Sequence, residues 1–113
     1  MDKFNFEKLD DNFINLYEEW IFIKAVEYSA VKVSELFDYK LTLWVEKKSH
    51  LLYFELGFPV SKAQEKIAYI VAEWYGVRFF PKQNDPIIYV WKKDFKKDEE
   101  RLTYKKQSMI KFS

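Results

Sequence analysis

The chain has 113 residues, 49% hydrophobic and 33% charged, with two glycines, three prolines and no cysteine. Such a length and composition suit one globular domain with one core, and they exclude a disordered or repeat-built chain. The lack of cysteine excludes disulfides, thiol nucleophiles and cysteine-ligated metal, and a net charge of +1 weakens long-range attraction to DNA.

The charge is unevenly spread. Residues 1–38 carry four bases and nine acids, a net of −5. Residues 39–91 carry seven bases and five acids, and residues 92–113 carry eight and four. An acidic front therefore meets a basic tail. The N-terminus, MDKFNFEKLDD, does not read as a signal peptide, and no apolar run is long enough to span a bilayer. A cytoplasmic protein is the expectation. Eleven Phe, eight Tyr and four Trp make up a fifth of the chain. Most are expected to fill a small core, with a few left as surface anchors.

Taken in order, Phe6, Leu9, Phe13, Leu16 and Trp20 recur at three and four residues, which predicts an amphipathic helix over 5–19. Residues 20–37 fit either a continuous helix or a strand over 20–28 followed by a helical turn. Tyr39, Leu41, Leu43 and Val45 alternate with Lys40, Thr42, Trp44 and Glu46, a half-buried strand. Lys47–Ser49 is a polar turn, and Leu51–Leu56 returns as the second strand of an antiparallel hairpin.

The segment Ser61–Gly76 carries helix signals at both ends and in its body. Ser61 is the expected N-cap, with Gln64 completing a capping box. Ile67, Ile70, Val71 and Trp74 form the apolar stripe, and Gly76 is the expected left-handed residue after the last turn. Two short strands follow, Val77–Phe80 and Ile87–Trp91, around the turn cluster PKQNDP. The last 22 residues fit either a solvated helix or an edge strand. The sum is a single α+β domain over 1–113: a small, mainly antiparallel sheet with the 61–75 helix on one face and helical structure at the N-terminus.

The chemistry is largely a set of exclusions. Two glycines supply neither a dinucleotide fingerprint nor a phosphate loop, and one histidine without cysteine excludes the common zinc spacings. No cofactor and no metal is expected. His50 follows Ser49, and neighbours along a strand point to opposite faces, poor geometry for a nucleophile–base pair. Asp38 with Glu46-Lys47-Lys48 resembles the D…E-x-K pattern of metal-dependent nucleases. If 39–46 is one strand, however, the two acids stand roughly 26 Å apart, at about 3.3 Å per residue, and cannot share an ion.

Three rings fall on faces that periodicity marks as polar: Trp44 beside Lys40, Thr42 and Glu46; Tyr69 beside Lys62, Glu65, Lys66 and Glu73; and Tyr28, off the stripe if 20–37 is helical. They are the expected anchors for a macromolecular partner, with Asp10, Asp11, Glu18 and Glu19 facing a basic groove on it. In size, aromatic surplus and polarised charge, the chain is similar to the small inhibitors carried by phages and mobile elements and to immunity proteins. That likeness implies a non-enzymatic protein that occludes a protein or nucleoprotein. The alternative is a nucleic-acid-binding module using Lys92, Lys93, Lys96, Lys97, Arg101, Lys105 and Lys106, with Arg78 and Lys82 near the 77–91 hairpin. A homo-oligomeric structural subunit is a second alternative.

Overall fold

The computed structural model describes residues 12–90 and 99–111, the latter with side chains at 102–109. Its elements run β1 (Ile14–Glu19), β2 (Phe22–Val26), α1 (Tyr28–Phe37), β3 (Thr42–Val45), β4 (Leu52–Pro59), α2 (Ala63–Ala72), β5 (Val77–Phe80), β6 (Ile87–Tyr89) and α3 (Glu99–Lys111). The strands form one six-stranded sheet in the order β3-β4-β2-β1-β5-β6. All neighbours are antiparallel except β1 and β5, which run parallel with Ile14 opposite Val77. The expected α+β class therefore holds.

Pairing puts Ile14, Leu16, Ile23, Ala25, Phe54, Leu56, Phe58 and Val77 on one face. These residues form the core together with Ala30 and Val33 of α1 and Ile67 and Ile70 of α2. The two helices share this face: Phe37 at the end of α1 lies 5.1 Å from the Tyr69 ring of α2, and Tyr39 stacks 5.9 Å from Phe58 beneath. Lys66 spans the same cluster, 4.6 Å over Phe37. The other face carries Tyr17 stacked on Phe80 at 4.7 Å, and a Lys24–Glu55 ion pair at 2.9 Å. Lys24 lies flat there because Gly57, its cross-strand neighbour, has no Cβ; one would approach the lysine stem to 3.2 Å. Among the described residues no helix is long and apolar enough to cross a membrane.

Several expectations are corrected. Residues 14–19 are strand, not helix, while 1–11 lie outside the described residues. Ile14 and Leu16 face the core while Asn15 between them is buried as well, so burial itself does not alternate and the strand is fixed by its pairing, against the three–four spacing of Phe13, Leu16 and Trp20. Pairing with β2 on one side and β5 on the other supplies the ladder. Residues 20–37 divide at Glu27, whose backbone (φ 54°, ψ −126°) turns the chain from β2 into α1. Its carboxylate accepts the Phe54 N–H at 2.9 Å, and its own N–H donates to the Phe54 carbonyl at 2.9 Å.

Both ends of α2 also differ from expectation. Ser61 lies in a 3-10 turn (Val60–Lys62), and no side chain caps the helix. At the far end Trp74, not Gly76, is the left-handed residue, with φ 72°. The Tyr75 N–H donates to the Ile70 carbonyl and the Trp74 N–H to the Val71 carbonyl, a Schellman closure with tryptophan where glycine is usual. Trp74 consequently leaves the apolar stripe and is exposed. Gly76 serves a different need. A Cβ there would fall 2.8 Å from the Phe13 ring and 3.1 Å from the Tyr89 carbonyl oxygen, so the close approach of three segments requires its absence. In the C-terminal segment residues 99–111 form a helix, α3, but one packed on the core through Leu102 and Met109 rather than solvated.

Candidate partner-binding surface

Many of the exposed apolar side chains lie at the margins of the sheet, while Tyr69, Trp74 and Tyr104, exposed too, belong to the helices and their ends. One corner is the β3–β4 hairpin. β3 is an edge strand, and its register with β4 turns Leu43 inward opposite Phe54 while Trp44 pairs with Tyr53 on the outer face. Trp44 is 51% exposed there; Val45, also exposed, faces the other way opposite Leu52, and Leu51 is exposed where the chain returns.

The connecting loop is closed by its own hydrogen bonds. The Glu46 N–H donates to the Leu51 carbonyl at 2.8 Å, and the His50 N–H to the Glu46 carbonyl at 2.8 Å. The Glu46 carboxylate accepts the Ser49 hydroxyl, the Ser49 N–H at 3.0 Å and the Lys48 N–H at 3.3 Å. These donors, the Ser49 hydroxyl first, hold its carboxyl below the ordinary glutamate range. His50 takes a left-handed backbone, φ 58°, to complete the loop. Trp44 thus stands next to a loop held by its own Glu46 and backbone hydrogen bonds, which lowers the ordering cost of binding.

A second apolar point is the β1–β2 turn. Glu19 pairs with Phe22, so Trp20 and Ile21 form a two-residue loop. Trp20 is 71% exposed at φ 58°, and Ile21 and Phe22 are also exposed. β4 runs from the Val45 partner Leu52 to the Phe22 partner Pro59, so the two apolar points lie at opposite ends of β4.

A third region lies at the β6 edge. Between α2 and the β5–β6 pair runs an apolar groove of about 610 Å³. Ile87, Ile88 and Val90 are exposed along that margin.

The expected anchors do not form one patch. Tyr69 is partly exposed but leans on Phe37, so it roofs the helix pair. Tyr28 opens α1 and is half-buried. Glu18 and Glu19 flank the Trp20 turn, at the end of β4 away from Trp44, and Asp10 and Asp11 lie outside the described residues. Of the alternative basic set, Lys82 is exposed in the β5–β6 loop and Arg78 lies 5.1 Å over the Phe80 ring. Burial pushes the neighbouring Tyr17 phenol up, with Arg78 pulling the other way. Lys106 turns inward, donating to Glu27 at 2.8 Å and to the Leu52 carbonyl at 2.9 Å, while Lys105 is half-exposed. Lys92, Lys93, Lys96, Lys97 and the Arg101 side chain lie outside the described residues.

Among the described residues no three carboxylate or imidazole groups gather closely enough to hold a metal ion. Asp38 closes α1 in a left-handed conformation, and Glu46 belongs to the loop beyond the far end of β3.

Periodicity finds Trp44 but misses Trp20, Ile21 and Phe22, because the turn they form has no Gly, Asn or Asp to announce it. It also misses the groove, whose walls come from segments apart in the chain. No protein-family model matches the chain, and no curated protein matches it.

Proposed function

We propose that the chain is a non-enzymatic, cytoplasmic binding protein that occludes a partner protein, with the β3–β4 corner as its contact surface. The observation that carries this reading is the exposure of the Trp44 ring on the outer face of an edge strand, next to a loop held by its own hydrogen bonds. Aromatic side chains held rigidly at a surface are the residue type that dominates binding energy at protein interfaces. The inhibitor and immunity-protein classes, which the chain is similar to in size and aromatic content, act in this way.

The test is affinity capture from the native host with and without nuclease, using the wild-type chain and Trp44→Ala. The expected result is one discrete protein near one-to-one stoichiometry, resistant to nuclease and bound roughly 30-fold more weakly by Trp44→Ala, the loss of about 2 kcal/mol typical of a hot spot. A captured set that vanishes with nuclease favours the nucleic-acid alternative. Equal capture by both forms places the contact elsewhere on the molecule.

A further inference from the structure

The β6 edge and the groove beside it form a second surface, separate from the Trp44 corner. β6 is the last strand of the sheet, and among the described residues no strand pairs with its outer side. The Tyr89 carbonyl oxygen lies beside Gly76, on the β5 side. Tyr89 therefore spends its backbone groups on β5, where it pairs with Val77. In an antiparallel strand alternate residues point their N–H and C=O to opposite sides. Ile88 consequently presents its N–H and carbonyl outward.

Edge strands of this kind are usually blunted by charge or by a covering element. Here Ile87, Ile88 and Val90 stand exposed with no charge among them. Ile87 and Tyr89 point to the helix-bearing face, where the groove opens between them and α2. Its α2 wall is low because Ala68 and Ala72 stand there with Val71, and Phe79 forms part of the sheet side.

We infer that this edge binds an extended peptide segment of a partner protein by strand addition, with alternate apolar side chains of the peptide entering the groove. The outward backbone groups at Ile88 select a strand as the occupant, since a helix or a lipid chain offers nothing to pair with them. Side chains two residues apart on one face of a strand are roughly 7 Å apart, and a groove of about 610 Å³ takes two of them. No charged residue lines it, so those side chains are uncharged. A second copy of the chain is the weaker fit. Stable dimers bury on the order of 800 Å² per partner over about 20–30 residues, whereas this edge offers β6 and a few neighbours.

A random heptapeptide library displayed on phage is the probe, with enriched sequences remade as synthetic amidated peptides. Two variants separate the two parts of the site. Ile88→Pro removes the outward N–H without touching the β5 ladder, a position where an edge strand tolerates proline. Ala68→Trp fills the groove from an exposed helix position. The expected result is enrichment of sequences with apolar residues at alternate positions. Each variant should weaken their binding at least tenfold while keeping the wild-type circular dichroism, and amide shifts on titration should centre on Ile87–Val90. Trp44→Ala should bind them normally, which keeps this outcome distinct from that of the β3–β4 corner. The inference is overturned if no peptide is enriched, or if enriched peptides bind both variants as they bind the wild type. It is overturned equally if the protein sediments as a dimer that Ile88→Pro dissociates.

Discussion

Trp20 holds a backbone angle that glycine adopts freely and that costs other residues roughly 1–3 kcal/mol. Its ring is 71% exposed, so little burial offsets that cost. Trp20→Gly is therefore expected to stabilise the fold by about 1 kcal/mol, raising Tm by roughly 4 °C in a thermal melt. An unchanged or lower Tm would show that the ring packs on its surroundings. If the turn adds to the proposed contact surface, the same variant should lose partner affinity as it gains stability, the exchange common at binding sites. Trp74, at φ 72° and also exposed, poses the same question at the end of α2.

At the scale of elements, a polar node among the described residues fastens α3 to the sheet. Lys106 bridges the Glu27 carboxylate and the Leu52 carbonyl, and its ammonium sits 5.9 Å over the Phe54 ring. Both partners of the ion pair are about four-fifths buried, at 18% and 20% exposure. Leu102 and Met109 add apolar packing on the core. Lys106→Met keeps the stem but removes both hydrogen bonds, an expected loss of about 2 kcal/mol in urea unfolding. Hydrogen exchange should then show α3 amides opening ahead of the sheet; exchange of all elements together would show that α3 is integral to the fold.

Which elements the sequence reveals follows from how local their cause is. The β3–β4 hairpin was legible because its alternation and its turn are contiguous, and Trp44 was legible with it, although only Thr42–Val45 of 39–46 is strand and Val45, expected inward, is exposed. α2 was legible from Ile67 and Ile70, but its ends were not. Its closure uses Trp74 because backbone hydrogen bonds to Ile70 and Val71 define the turn, while Gly76 answers to Phe13 and Tyr89, both distant in sequence. β1 was illegible for the same reason: its partners are β2 and β5, and three–four spacing across Phe13, Leu16 and Trp20 is coincidental. The β6 groove depends on Ala68 and Ala72 facing strands outside their own segment, which no local pattern records.

For the whole molecule, the connection that unites the sheet is the parallel pair β1–β5, with Ile14 opposite Val77 and Tyr17 opposite Phe80. Without β5, the inner strand β1 becomes an edge with Ile14 and Leu16 on its apolar face. A chain terminated after Tyr75 is expected to be insoluble or to lack cooperative unfolding, because an uncovered apolar edge promotes association. Solubility and a sharp thermal transition in that fragment would show that β1–β4 with α1 and α2 is self-sufficient.

The same pairing bears on how the protein is made. Chains grow at about 5–20 residues per second, so residue 77 follows residue 14 by about 3–13 s. Throughout that interval β1 has been synthesised and its parallel neighbour has not. The nascent chain thus passes through a stage in which the future middle of its sheet is a margin open to other chains, and its yield in the cell will depend on how that stage is shielded.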